Sequence, residues 1–447
     1  MELRFSNRDL RKLIIPLIVE QFLQVSVGLI DSVMVASIGE AAVSGVSLVD
    51  SIFVLLINVF TALATGGAVV AGQLIGHKDS QSGCRAAWQL ILFVGALSLV
   101  MTALCYIGRN VILHQIFGEV EPDVLRSSRT FLLIVSASIP FIALYNAGAA
   151  VFRIMGNSKV SMNISLMMNG INLTGAAILI FGFGWGVEGA AVPTLASRIA
   201  AAAVIIRLLC NKERLLHIPR PVRFHLDKEL LKQIFRIAVP YGLESSMFQL
   251  GKILVLSLVS GFGTAAIAAN AIGNYVAMFA ILPGMALNFA MVTVISQCVG
   301  ARDFEQAEHY TKKLVKLCYL LLTILNVLIL LAIPLILFLY GLSDEAGMYA
   351  RQVLICHSVA SILIWPLSFT LPQTLRAAGD VACPMVIAVV SMWVFRVILS
   401  YILGLYLGMG LIGVWLAMIA DWVFRSICFT VRYKRKKWQT KSLEDLR

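Results

Sequence analysis

From end to end, the chain alternates between apolar runs of about twenty residues or more and short polar segments. That alternation decides which solvent it folds in before any motif is considered. A helix crossing the hydrocarbon of a bilayer needs about 20 mostly apolar residues. Such runs fall at 13–37, 46–74, 88–108, 131–151, 160–182 and 188–208, and after a polar stretch at 235–259, 268–298, 316–340, 353–375, 384–404 and 410–430. Apolar residues make up 59% of the 447 and charged residues 13%, against about 25% charged in a soluble domain, and no portion of the chain departs from this bias. The expected fold class is an all-α polytopic membrane protein with twelve transmembrane helices and the lipid bilayer as its main partner. Disorder and a disulfide-stapled secreted fold are excluded. The eight cysteines show neither CxxC nor metal-ligand spacing and read as small apolar helix residues. The first run is too long for a signal-peptide core of about 7–15 residues and carries Glu20 and Asp31, so it reads as a retained first span.

The net charge of +12 suggests a nucleic-acid surface until the basic residues are located. With the N-terminus inside, the segments assigned to the cytoplasm hold 29 Lys or Arg: in 1–12, 76–87, 152–160, 207–236, 299–316, at Arg376 and from Arg425 onward. The outer segments hold 4, Arg109, Arg126, Arg129 and Arg351. This asymmetry predicts both termini in the cytoplasm, with a plasma (inner) membrane location and no nucleic-acid partner.

Shifted by 224 residues, the chain matches itself. Pro16 meets Pro240, Glu20 meets Glu244, Gly39 meets Gly263, Gln73 meets Gln297, Gly76 meets Gly300 and Asp79 meets Asp303; later, Gly186 and Gly189 meet Gly410 and Gly413, and at an offset of 223 Arg153 meets Arg376. The predicted organisation is an N-terminal lobe over 1–208, a cytoplasmic linker over 209–234 containing Ile218-Pro219-Arg220-Pro221, and a C-terminal lobe over 235–447 ending in a basic tail. Each lobe has an even number of spans, so the repeats are parallel, an arrangement known in transporters. No GxxxxGK[ST] phosphate loop is present. An enzyme is not expected.

Several segments together carry a family likeness: Pro16 to Gly39 (PLIVEQFLQVSVGLIDSVMVASIG), Ala265 to Asn274 (AAIAANAIGN), Gln297 to Ala301 (QCVGA), Leu375 to Asp380 (LRAAGD), Trp393 to Arg396 (WVFR) and 410–422 (GLIGVWLAMIADW). In these, and over nearly its whole length, the chain resembles the multidrug and toxic compound extrusion (MATE) transporters. The resemblance implies twelve helices in two six-helix lobes and export of organic, often cationic, compounds in exchange for H⁺ or Na⁺ by alternating access. The expected substrates are small organic compounds, cationic or amphipathic, handled by a monomer with no cofactor beyond the coupling ion. A flippase for a lipid-linked precursor, of the same broad fold, is the alternative; a non-transporting membrane receptor or scaffold is a second rival.

Ionisable groups inside a span are costly and are functional candidates by default. Glu20, Gln24 and Asp31 share one stripe of the first helix, which lipid cannot solvate. The second repeat has Glu244, but Phe248 and Val255 where Gln24 and Asp31 stand. By the resemblance, Asp31, Asn172 and Thr194 match the family's ion-coupling site, and its fourth position, usually acidic or amide, is Ala176. That departure favours H⁺ over Na⁺; Asp31 would be the metal ligand only if Na⁺ couples. Glu20 and Glu244 either line a substrate cavity or pack symmetrically. Gln24, Asn146 and Asn169 are candidate substrate hydrogen-bonders, and Met34, Met167, Met168, Met278 and Met285 candidate adaptable contacts. Lys252 lies about 27 Å along its helix from residue 234; it either pairs with a carboxylate such as Asp31, selects anionic or zwitterionic substrates, or snorkels outward. Pro16 and Pro240 are candidate hinges. Arg198, Arg396 and Asp421 are expected to have structural partners, and His357 reads as a packing residue.

Overall fold

The structure, a computed structural model, describes residues 4–116, 121–219 and 227–440. Among these residues there is no strand. Fifteen helices carry the fold: α1 Asn7–Ala36, α2 Glu40–Gly76, α3 Ser80–Ile107, α4 Pro122–Ser136, α5 Ile139–Ile154, α6 Ser158–Gly182, α7 Glu188–Leu209, α8 Lys228–Ser260, α9 Thr264–Ala280, α10 Leu282–Gly300, α11 Phe304–Tyr340, α12 Asp344–Leu363, α13 Pro366–Ala377, α14 Ala382–Tyr406 and α15 Gly410–Lys434. Ten helices among the described residues are long and apolar enough to cross a bilayer. Counting the bent pairs α4/α5 and α12/α13 as one span each makes twelve. The helices overrun most of the apolar runs because their ends continue into polar sequence, where water accepts the unpaired backbone groups.

Repeated residues have repeated structural jobs. Gly39 and Gly263 stand immediately before α2 and α9 with φ of 139° and 94°, a backbone region that a β-carbon disfavours. Asp79 accepts a hydrogen bond from the Ser82 N–H at 2.9 Å to cap α3, and Asp303 accepts from the Gln306 N–H at 3.0 Å to cap α11. The prolines at Pro16 and Pro240 do not break their helices: α1 and α8 each run through them. The sharp bends lie elsewhere, 49° between α4 and α5 and 61° between α12 and α13. Both breaks precede a proline, Pro140 or Pro366, whose ring removes a backbone donor and clashes with the preceding turn.

The chain divides into one compact unit over Arg8–Val239 and another comprising Met1–Asn7 with Pro240–Arg447. In the first unit, the stretch expected to be a linker is docked: Leu216 is buried, its N–H reaches the Met155 sulfur at 3.2 Å, and the Ile218 N–H donates to the Leu209 carbonyl at 2.8 Å. The first turns of α8 pack there too, with Phe235 edge-on to Phe93 at 4.7 Å. Arg220 and Pro221 lie outside the described residues. In the second unit, the Phe5 N–H and carbonyl both bond the Tyr310 hydroxyl at 2.8 Å, and the Arg4 N–H donates to Gln306.

Candidate functional site

Five helices of the first unit line an open cavity of about 350 Å³, within the size range of small-molecule sites. Its lining follows helical periodicity. From α1 come Gln24, Gly28, Asp31 and Val35; from α2, Val43, Val46, Ser47 and Asp50; from α6, Asn169, Asn172, Ala176 and Ile180; from α7, Ala190, Thr194, Ser197 and Arg198. Within each set the positions recur at three or four residues, with Val46/Ser47 and Ser197/Arg198 adjacent, so one face of each helix meets the cavity. Phe131 and Val135 of α4 complete the wall. Gly28 leaves room, since a β-carbon there would meet nothing within 4 Å.

The three residues assigned to ion coupling come together. The Asn172 amide donates to Asp31 Oδ2 at 2.8 Å, and the Thr194 hydroxyl donates to Asn172 Oδ1 at 3.0 Å. This joins α1, α6 and α7 by a relay of three side chains, one of whose bonds is to a carboxylate and so is worth about 1.5–3 kcal/mol. Ala176 is buried against Met34 and Ile180 and adds no oxygen. Among the described residues no group of three or more His, Cys, Asp or Glu is arranged to hold a metal ion.

The remaining candidates divide. Gln24, Asn169, Met34 and Met168 line the cavity, and the Asn169 amide nitrogen is buried without a hydrogen-bond partner. Glu20 does not line it: its carboxylate accepts from Ser161 at 2.9 Å and from Tyr145 at 3.5 Å and is buried among packed helices. Its stripe with Gln24 and Asp31 fails as a cavity face because Glu20 lies a turn below, where α5 and α6 close over α1. Asn146 is half-buried on α5 and is not among the lining residues. Glu244 and Lys252 belong to the second unit. There Glu244 receives Arg376 with both carboxylate oxygens at 2.7 Å, and the guanidinium lies 5.3 Å from the Tyr241 ring centre. Lys252 is exposed, 6.0 Å from the Phe248 ring centre. Arg396 and Arg425 approach the same ring and both pair with Asp421, at 3.8 and 2.8 Å. His357 is buried edge-on to Trp415 and Trp422, as a packing residue should be.

Two charged cavity residues were not assigned to the site from the sequence. Asp50 sits within the apolar run of α2, and an acid there was itself the available signal. Arg198 was assigned only a structural partner; it has one, the Ser138 hydroxyl at 2.7 Å, but it also lines the cavity.

The comparisons with known proteins agree with this architecture. The MatE family model matches the chain twice, over residues 16–178 and 240–402. The chain belongs to the MATE family. The two matches are displaced by the same 224 residues that relate the internal repeats, so each repeat is one copy of the family unit. Among the relatives of this MATE transporter, the probable multidrug resistance protein YoeA of Bacillus subtilis is 28% identical, with 98% of this chain and 96% of that protein covered. The probable multidrug resistance protein NorM of Thermotoga maritima is 25% identical, with 98% and 94% covered. A solved structure described as the outward-facing conformation of a multidrug resistance MATE family transporter of the MOP superfamily superposes with a TM-score of 0.90 at 20% identity, covering 97% of this chain and 96% of that one. The protein is thus an all-helical, multi-pass membrane transporter of the two-lobed MATE fold.

Proposed function

We propose that this MATE protein exports amphipathic organic compounds, including monovalent cations, in exchange for H⁺, with Asp31 as the coupling carboxylate. The observation that carries this reading is the Asp31–Asn172–Thr194 relay on the wall of a cavity of drug-ligand size. A proton on Asp31 would remove the charge that the Asn172 amide donates to, weakening the bond between α1 and α6. The coupling ion would thereby act on helix contacts, which alternating access requires. A dehydrated hard cation needs a shell of oxygens. Here the Asn172 and Thr194 oxygens are engaged within the relay and Ala176 supplies none, so H⁺ is favoured over Na⁺. The drug-resistance names of the relatives support export as the direction and drug-like compounds as the cargo. The distribution of basic residues supports both termini in the cytoplasm, and membership of the family supports a plasma-membrane location.

The test is ethidium efflux from proteoliposomes under imposed pH and Na⁺ gradients, applied separately to the parent and to Asp31→Asn. Export driven by the pH gradient and reduced to background in Asp31→Asn is expected. Export that follows Na⁺ overturns the proton assignment, and no dye movement under either gradient overturns organic-cation export in favour of a lipid-linked substrate.

A further inference from the structure

We propose that Arg198, acting as a positioning residue, sets the two-carboxylate cavity of the first unit at one net negative charge, so that Asp31 and Asp50 together take up a single proton. The proposal rests on the reading of Asp31 as the coupling group. The ionisable residues lining the cavity are Asp31 of α1, Asp50 of α2 and Arg198 of α7. Arg198 enters the cavity wall from α7 and is held by the Ser138 hydroxyl, at 2.7 Å, at the α4/α5 bend. Its charge acts on both carboxylates, and the carboxylates act on each other.

The other ionisable groups on the surrounding helices do not join this set. Glu20 of α1 is engaged by Ser161 and Tyr145, with Arg153 of α5 acting on the same tyrosine. Arg8, Asp9, Arg11 and Lys12 of α1, Glu40 of α2, Asp123, Arg126 and Arg129 of α4, Lys159 of α6, and Glu188 and Arg207 of α7 do not line the cavity.

A guanidinium remains protonated in a protein, so two ionised carboxylates and Arg198 sum to minus one. A net charge at membrane depth is expensive, and one proton removes it. The proton from solution forms an O–H bond with one carboxylate oxygen of the pair; the other carboxylate stays ionised against Arg198. Because the two acids share the proton, they titrate as a unit. With Arg198 absent, two protons are needed for neutrality. With Asp50 neutral, the remaining pair is balanced and needs none.

The experiment reads infrared absorption of protonated carboxyl groups in the purified full chain, titrated through the neutral range against an Asp31→Asn/Asp50→Asn baseline. One carboxyl is expected in the parent, two in Arg198→Gln, none in Asp50→Asn, and one again in Asp50→Asn/Arg198→Gln. A merely structural role for Arg198 would not produce that rescue. An undiminished band in Asp50→Asn, or the same band in all variants, overturns the proposal, and Asp50→Asn alone decides it if Arg198→Gln does not fold. Ethidium efflux on the same proteins separates the two readings. The expected carboxyl counts in a parent that exports no dye leave the charge count standing and sink the export proposal.

Discussion

The two repeats share a backbone plan and place opposite chemistry at equivalent positions. Where the first unit has Gln24, Gly28, Asp31, Asn172 and Arg198, the second, 224 residues on, has Phe248, Lys252, Val255, Arg396 and Trp422. Small and polar residues leave a cavity with a relay on its wall. Their counterparts fill space: the Phe248 ring gathers Arg396 and Arg425, Asp421 binds both, and Trp422 packs on His357 and Phe369. Duplication therefore kept alike what terminates and joins helices, while equivalent positions between the ends diverged into a polar cavity in one unit and an arginine–aromatic cluster in the other.

The largest expected difference is functional. Asp31→Asn abolishes pH-driven ethidium export, whereas Val255→Asn at the equivalent position leaves the pH dependence of export unchanged; equal losses would break the proposed asymmetry. Next comes the pair that sequence symmetry makes look alike. Glu244→Gln leaves the Arg376 guanidinium buried without its carboxylate, at a cost of about 3 kcal/mol. Glu20→Gln retains an acceptor for Ser161 and Tyr145 and costs about 1 kcal/mol. Thermal unfolding in detergent should rank them in that order.

The smallest effect tests where the repeats agree. Asp79→Ala and Asp303→Ala each remove a helix cap, costing about 1 kcal/mol, with Asp303 the more costly because it also accepts from the Gln306 side chain at 2.9 Å. The hydrogen bonds from Ser82, with Arg85 and His77 nearby, hold the Asp79 carboxyl below its ordinary value. Its contribution is thus present above about pH 4 and is lost as pH falls through the lowered value. Stability of the parent and Asp79→Ala should converge on acidification; a constant gap would contradict the cap.

The likeness of Asp79 and Asp303, or of Gly39 and Gly263, was legible in sequence because caps and positive-φ turns depend on residues a few positions apart. Asp31, Asn172 and Thr194 were legible through family resemblance. Whether Glu20 lines the cavity or packs was not legible: it is an acid on the same helical stripe as Asp31, and only the packing of α5 and α6 over it removes it from the cavity. The ion pair of Glu244 with Arg376 was likewise out of reach, since the residues are 132 positions apart and Arg376 looked like one more basic residue at a cytoplasmic helix end.

Sequence by itself determined the solvent, the number of spans, the duplication and the helix boundaries to within a few turns. Those properties follow from hydrophobic run length and from local backbone chemistry. Tertiary structure alone decided which acids share a cavity, which are locked into packing, and where the helices bend. Such outcomes depend on contacts between helices far apart in the chain, and a buried charge takes its meaning from what those contacts place beside it.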